Sequence, residues 1–175
     1  MMKILVRLTL SILLSAFCSQ SFADADVVLP AKQLRPGCFV ELHKTYPSSV
    51  DPNVNANVFD LHLLWKCGDA EAIPIGEVDA EGTGPEIVTV FYRPNEIVML
   101  ARWASGSAGA DFAGDLYQVN AFRLQQVNGQ AKFERVPEIT KAFGEGYDGV
   151  LNGKHVTFPY KNAAAIRARL AALGL

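Results

Sequence analysis

Two stretches of alternating apolar and polar residues, CFVELHKTY (38–46) and NVFDLHLLWKC (57–67), each carry a cysteine at the end far from the other's start. Alternation with a period of two marks strands with one face turned inward. The Pro-, Ser- and Asn-rich PSSVDPNVNAN between them marks a connection. Read as an antiparallel pair with Cys38 facing Cys67, the segments place Val40 opposite Trp65, Leu42 opposite Leu63 and Tyr46 opposite Phe59, all on one apolar face. A slip of one residue would turn that face to solvent, so the cysteine pair and the hydrophobic pattern demand the same register. The opposite face then holds His43 beside His62, with Glu41 and Asp60 nearby. A zinc site needs three or four ligands, so a solvated or packed histidine pair is expected there, and no metal or cofactor.

A disulfide between Cys38 and Cys67 requires an oxidising compartment. The chain's beginning, MMKILVRLTLSILLSAFCSQSFA, supplies the route: Lys3 and Arg7, an apolar run from Leu8 to Phe17, then the small-x-small site Ser21-Phe22-Ala23. This is the pattern of a secretory signal peptide, residues 1–23, removed on export to the periplasm. The run is too short to span a bilayer, so no stable membrane insertion is expected after cleavage. Cys18 follows the bulky Phe17, unlike a lipid attachment site, and leaves with the signal peptide. Residues 24–175 are expected to form a single globular domain. The chain has 16 basic against 18 acidic residues, and cleavage removes two of the basic ones and none of the acids. With no basic patch to follow phosphates, nucleic acid is not an expected partner.

Further along, EIVTVFY and EIVMLARW flank Pro94-Asn95 and are apolar on both faces, the pattern of strands in mid-sheet. DLYQVNAFRLQQV and QAKFERV flank Asn128-Gly129, a strong hairpin signal that sets Leu124 opposite Phe133 and Arg123 opposite Glu134. A second such turn, Asn152-Gly153, lies within GYDGVLNGKHVTF. Pro137 opens a short helix over EITKAF, and Gly144 stops it. Asn162 caps NAAAIRARLAAL, whose apolar stripe is Ala163, Ile166, Leu170 and Leu173. These elements predict an α+β fold, mainly β: an antiparallel meander sheet or partly open barrel of roughly seven to nine strands with a C-terminal helix.

Motifs for catalysis are weak. Ser105-Gly106-Ser107-Ala108-Gly109 lacks the leading glycine of a nucleophile elbow. There is no H-E-x-x-H, P-loop or G-x-G-x-x-G pattern. Asp111 with Asp115, or Glu77, Asp79 and Glu81, could pair for glycoside hydrolysis, but carboxylates on a Gly-rich loop are expected to be solvated. Two aspartates are also too few for calcium. The stretch WASGSAGADFAGDLYQV (103–119) therefore reads as a slim connection suited to entering a partner's cleft. Ser105, Ser107, Asp111, Phe112 and Asp115 are its candidate partner-binding residues, with Asp111 supplying charge and Phe112 an apolar anchor.

The signal peptide, the disulfide-stapled β-rich domain, the run FYRPNEIVMLARWASGSAGADFAGDLYQVNAF and the ending GVLNGKHVTFPYKNAAAIRARL resemble small periplasmic immunity proteins of type VI secretion effectors. The resemblance implies a non-enzymatic toxin inhibitor that binds and blocks a secreted effector toxin or cell-wall hydrolase through a protein–protein interaction. It fixes no fold and transfers no binding residue. The alternative expectation is a periplasmic small-molecule or lipid-binding protein using the barrel interior, unless Trp65, Phe91 and Phe122 fill it. A homodimer through an exposed strand edge is a further expectation.

Overall fold

The computed structural model describes residues 27–106, 111–144 and 146–175. The expected signal peptide and Ser107 lie outside them. Mainly β with a C-terminal helix, the fold is the α+β class read from the sequence. Among the described residues, ten strands form two antiparallel sheets.

The first sheet is a meander of β1 (Val27–Pro30), β2 (Cys38–Thr45), β3 (Asp60–Cys67) and β4 (Ile73–Val78). The β2–β3 ladder has the register demanded by the cysteines, from Cys38↔Cys67 through Val40↔Trp65 and Leu42↔Leu63 to Thr45↔Asp60. Cys38 and Cys67 are disulfide-bonded. Past the ladder's end the Tyr46 and Phe59 rings meet edge-on, 6.4 Å between centroids. Period-two alternation buries Val40, Leu42, Leu61, Leu63 and Trp65 on the inner face. β1 precedes the first stretch recognised as a strand; with only four residues and Pro30 at its end, it carries too little pattern to be read.

The second sheet runs β10-β9-β7-β6-β5, with β8 also paired to β7. Its strands are β5 (Glu86–Arg93), β6 (Glu96–Gly106), β7 (Phe112–Val127), β8 (Gln130–Arg135), β9 (Tyr147–Leu151) and β10 (Lys154–Val156). The β7–β8 register includes Leu124↔Phe133 and Arg123↔Glu134, as the Asn128-Gly129 turn requires. Asn95, Asn128 and Asn152 all take positive φ in the tight hairpin turns, a conformation asparagine tolerates better than other side chains. β7 is long enough to be shared: on one side it pairs with β6 over Ala113–Arg123, and on the other with β9 at its start and β8 at its end.

Both faces of β6 are covered. Ile97, Met99, Ala101 and Trp103 meet the first sheet, in a core that includes Leu63, Trp65, Phe122 and Phe133. Val98 and Leu100 face the other way, into a core with Val119, Ile139, Phe143, Phe158, Ile166 and Leu170. That second core seats α1 (Pro137–Lys141) and α2 (Ala163–Leu173). The Asn162 side chain accepts a hydrogen bond from the Ala165 amide, capping α2, and Gly174 ends it in the left-handed conformation. Of the stripe read from the sequence, Ile166 and Leu170 are buried and Ala163 packs beside them, while Leu173 is exposed. The mid-sheet expectation thus holds for β6 and not for β5, which among the described residues is an edge strand, its apolar residues reaching two separate cores.

The sandwich closes along one side only. There Trp65 meets Phe133 edge-on at 5.5 Å, and Arg135 of β8 donates to the Glu77 carbonyl of β4 at 2.6 Å and lies over Phe122. Gly76 makes room for this contact, since a Cβ there would strike the Phe122 ring. On the opposite side the free edges of β1 and β5 flank a gap.

Candidate functional site

Two places stand out as surfaces for recognition. The first is the end of the β6–β7 hairpin, where the sequence places its candidate residues. The ladder runs from Glu96↔Arg123 to Gly106↔Ala113, and β9 backs β7 over Phe112–Leu116. The Asn152 amide, in the β9–β10 turn, donates to the Asp111 carbonyl at 2.7 Å. A third strand therefore braces β7 from Leu116 back to Phe112, and the Asn152 amide extends that support to Asp111. β7 and β9 approach closely at Gly114 and Gly149, with φ of +152° and +151°, where a Cβ on either would run into the other strand's backbone. Glycine at 114 thus serves close strand contact, whereas the sequence suggested only a slim loop.

The candidate side chains have different surroundings. Asp111 is exposed. Phe112 is half-buried and packs edge-on against Tyr147 at 4.8 Å, so part of its apolar surface is already spent within the fold. Ser105 is half-buried and faces Gly114 across the ladder. Asp115 lies 3.5 Å from a guanidinium nitrogen of Arg102, and the Tyr117 hydroxyl donates to it at 3.5 Å. Arg102 also pairs with Glu86, and that hydrogen bond raises the guanidinium pKa above its ordinary value. Nearby, Lys161 pairs with Asp148, which raises the ammonium pKa. Asp115 and Asp148 are therefore compensated by cations, while Asp111 points its charge at solvent.

The second place is the gap between the sheets, a groove of about 650 Å³. Leu42, Phe59 and Leu61 line it from the first sheet and its connection, together with Leu29 of β1, and Ile87 and Val90 line it from β5. Lys44 stands at its rim with Nζ 4.7 Å from the Phe59 ring centroid. Tyr92 also lines it, and burial raises the phenol pKa. No local pattern announces this groove. It exists because β1 and β5 are both edges on the same side, a property of topology.

The histidines face each other as the register predicts, and each has a carboxylate. His62 Nε2 lies 2.8 Å from Glu77, and His43 Nε2 lies 3.5 Å from Glu41. Among the described residues no group of three or more His, Cys, Asp or Glu side chains is placed to hold a metal ion. No helix of the described residues is long and apolar enough to cross a membrane. Trp65 and Phe122 fill the space between the sheets, and Phe91 packs in the other core, so the cavity lies at the open side and not in an enclosed interior. In comparisons with known proteins, no family model, no curated protein and no solved structure matches the chain.

Proposed function

We propose that this chain is a non-enzymatic immunity or inhibitor protein of the periplasm, which binds and blocks a secreted antibacterial toxin or peptidoglycan-degrading enzyme with the end of its β6–β7 hairpin. The observation that carries the reading is the bracing of that hairpin. A recognition element already held in place by a flanking strand loses little conformational freedom on binding. Asp111 at its end complements a basic cleft and speeds encounter with it. The resemblance to type VI immunity proteins and the leader-like first residues support the same reading.

The test is hydrolysis of purified peptidoglycan by the secreted effectors of the producing strain, with and without the purified protein. The wild-type protein inhibits one of them, and Asp111→Lys weakens inhibition by about tenfold or more, the equivalent of one well-placed charge contact. Phe112→Ala, which loosens the packing on Tyr147, weakens it less. If no effector is inhibited, or if Asp111→Lys inhibits as well as the wild type, the reading fails.

A further inference from the structure

A smaller hollow, of about 310 Å³, lies where the connection between β1 and β2 meets Trp65, the β5–β6 turn and β7. Its volume is at the lower end of the usual range of ligand sites, roughly 300–1,000 Å³. The connection that brings Arg35 there is held by its own backbone. The Leu34 and Arg35 amides donate to the Ala31 carbonyl, and the Cys38 amide donates to the Arg35 carbonyl beside the disulfide. Period-two alternation places Leu124 and Gln126 on one face of β7, and Asn95 comes from the β5–β6 turn. Arg35, Asn95 and Gln126 are exposed, Leu34 and Leu124 are half-buried, and Trp65 is buried.

The polar groups of the lining decide the occupant. Arg35 carries its one charge, and among the described residues the guanidinium has no carboxylate partner and no hydrogen bond; it lies 5.8 Å from the Trp65 ring centroid. The Trp65 indole Nε1–H is a second donor, buried and without an acceptor among the described residues. Buried donors are nearly always paired, so one left over on the wall of a hollow marks a place for an acceptor. The Trp103 indole, by contrast, donates to the Asp79 carbonyl at 2.9 Å. One guanidinium balances one negative charge, and its planar fork matches the two oxygens of a carboxylate. A phosphate dianion would keep part of its charge unmatched there. Gln125 already donates to Glu134, but the Asn95 and Gln126 side-chain amides have no partner among the described residues. Each offers a donor and an acceptor, the complement of a peptide unit, while Leu34 and Leu124 supply apolar surface for a small side chain. We infer that this hollow binds the free C-terminal carboxylate of a short peptide, with Arg35 and the Trp65 indole on the carboxylate and Asn95 and Gln126 on the peptide unit before it. The site shares no residue with the hairpin end.

The experiment is titration of the nitrogen-15-labelled protein with N-acetyl-alanyl-alanine, following the indole N–H signals of its two tryptophans by nuclear magnetic resonance. The Trp65 signal moves downfield and saturates at one to one, as a donor gaining an acceptor does, and the Trp103 signal stays in place. The C-terminal amide of the same dipeptide binds at least tenfold more weakly, and Arg35→Gln weakens binding of the acid to the same degree, the loss of a charge-assisted pair. Asn95→Gly, which keeps the positive-φ turn, weakens it about threefold. Both substitutions are at exposed positions and leave the circular dichroism unchanged. A Trp65 signal that does not move, or an amide or an Arg35→Gln variant that binds as tightly, overturns the proposal. Acetate binding as tightly as the dipeptide would show that only the anion is read, and inorganic phosphate binding more tightly would make this a phosphate site; either result also overturns it. None of these outcomes depends on whether a toxin is inhibited.

Discussion

Breaking the Cys38–Cys67 bond provides a quantitative test of how the first sheet is held. The two cysteines are 29 residues apart and lie at the end of the β2–β3 ladder farthest from its connecting loop, so the bond closes the whole hairpin. In the chain-entropy model, opening a loop of this length destabilises the fold by about 3.5 kcal/mol through the freedom gained by the unfolded chain. For a domain of this size that lowers the melting temperature by roughly 7–14 °C. The assay is thermal and urea unfolding of the oxidised protein, the same protein reduced, and the Cys38→Ala/Cys67→Ala variant. Reduction isolates the cross-link. The double variant adds the packing lost at Cys38, which is only 2% exposed, by about a further 1 kcal/mol. Because the unfolded chain expands, the urea slope also rises on reduction. A reduced protein that melts within about 2 °C of the oxidised one, with the same slope, would refute the reasoning. It would mean that β2 and β3 stay associated in the unfolded ensemble without the bond.

Two further substitutions probe the packing. Tyr92→Phe changes stability at pH 7 by no more than about 0.5 kcal/mol, because the buried Tyr92 hydroxyl has no hydrogen-bond partner among the described residues. Burial raises the Tyr92 pKa above 10.0, so the fold keeps its full stability below that pH and loses it as pH climbs through the folded value. Denaturation profiles from pH 9 to 12 should show a shallower alkaline decline for Tyr92→Phe than for the wild type; equal declines contradict the assignment. Gly114→Ala destabilises by roughly 2–3 kcal/mol, since its Cβ meets the Asp148 carbonyl and its φ suits only glycine. A urea midpoint unchanged by Gly114→Ala would show that β9 does not lie where it is described.

The parts of the fold that were legible in the sequence are those fixed by local chemistry. The β2–β3 register follows from alternation plus one covalent constraint, and the β7–β8 register from an Asn-Gly turn that admits one pairing. The cap at Asn162 is likewise a matter of adjacent residues. What escaped depends on how distant segments meet. EIVTVFY and EIVMLARW are equally apolar on both faces, yet β6 is central and β5 is an edge, because β5 is flanked by the open gap in the sandwich. The groove follows from that difference and was invisible for the same reason. The candidate loop was partly legible: Asp111 is exposed as expected, but Asp115 is matched by Arg102 from the neighbouring strand, a partner that sequence separation concealed.

The pairing order of the strands also dictates how the chain must assemble as it emerges N-terminus first. Each ladder joins consecutive strands, except where β7 reaches past β8 to β9. Local ladders of this kind close quickly, so the first sheet forms before the second has been made. Until β6 and β7 arrive, Val40, Leu63 and Trp65 have nothing to cover them. The half-made molecule is therefore an amphipathic sheet with one sticky face, and a fragment ending after β4 would precipitate instead of behaving as an independent subdomain.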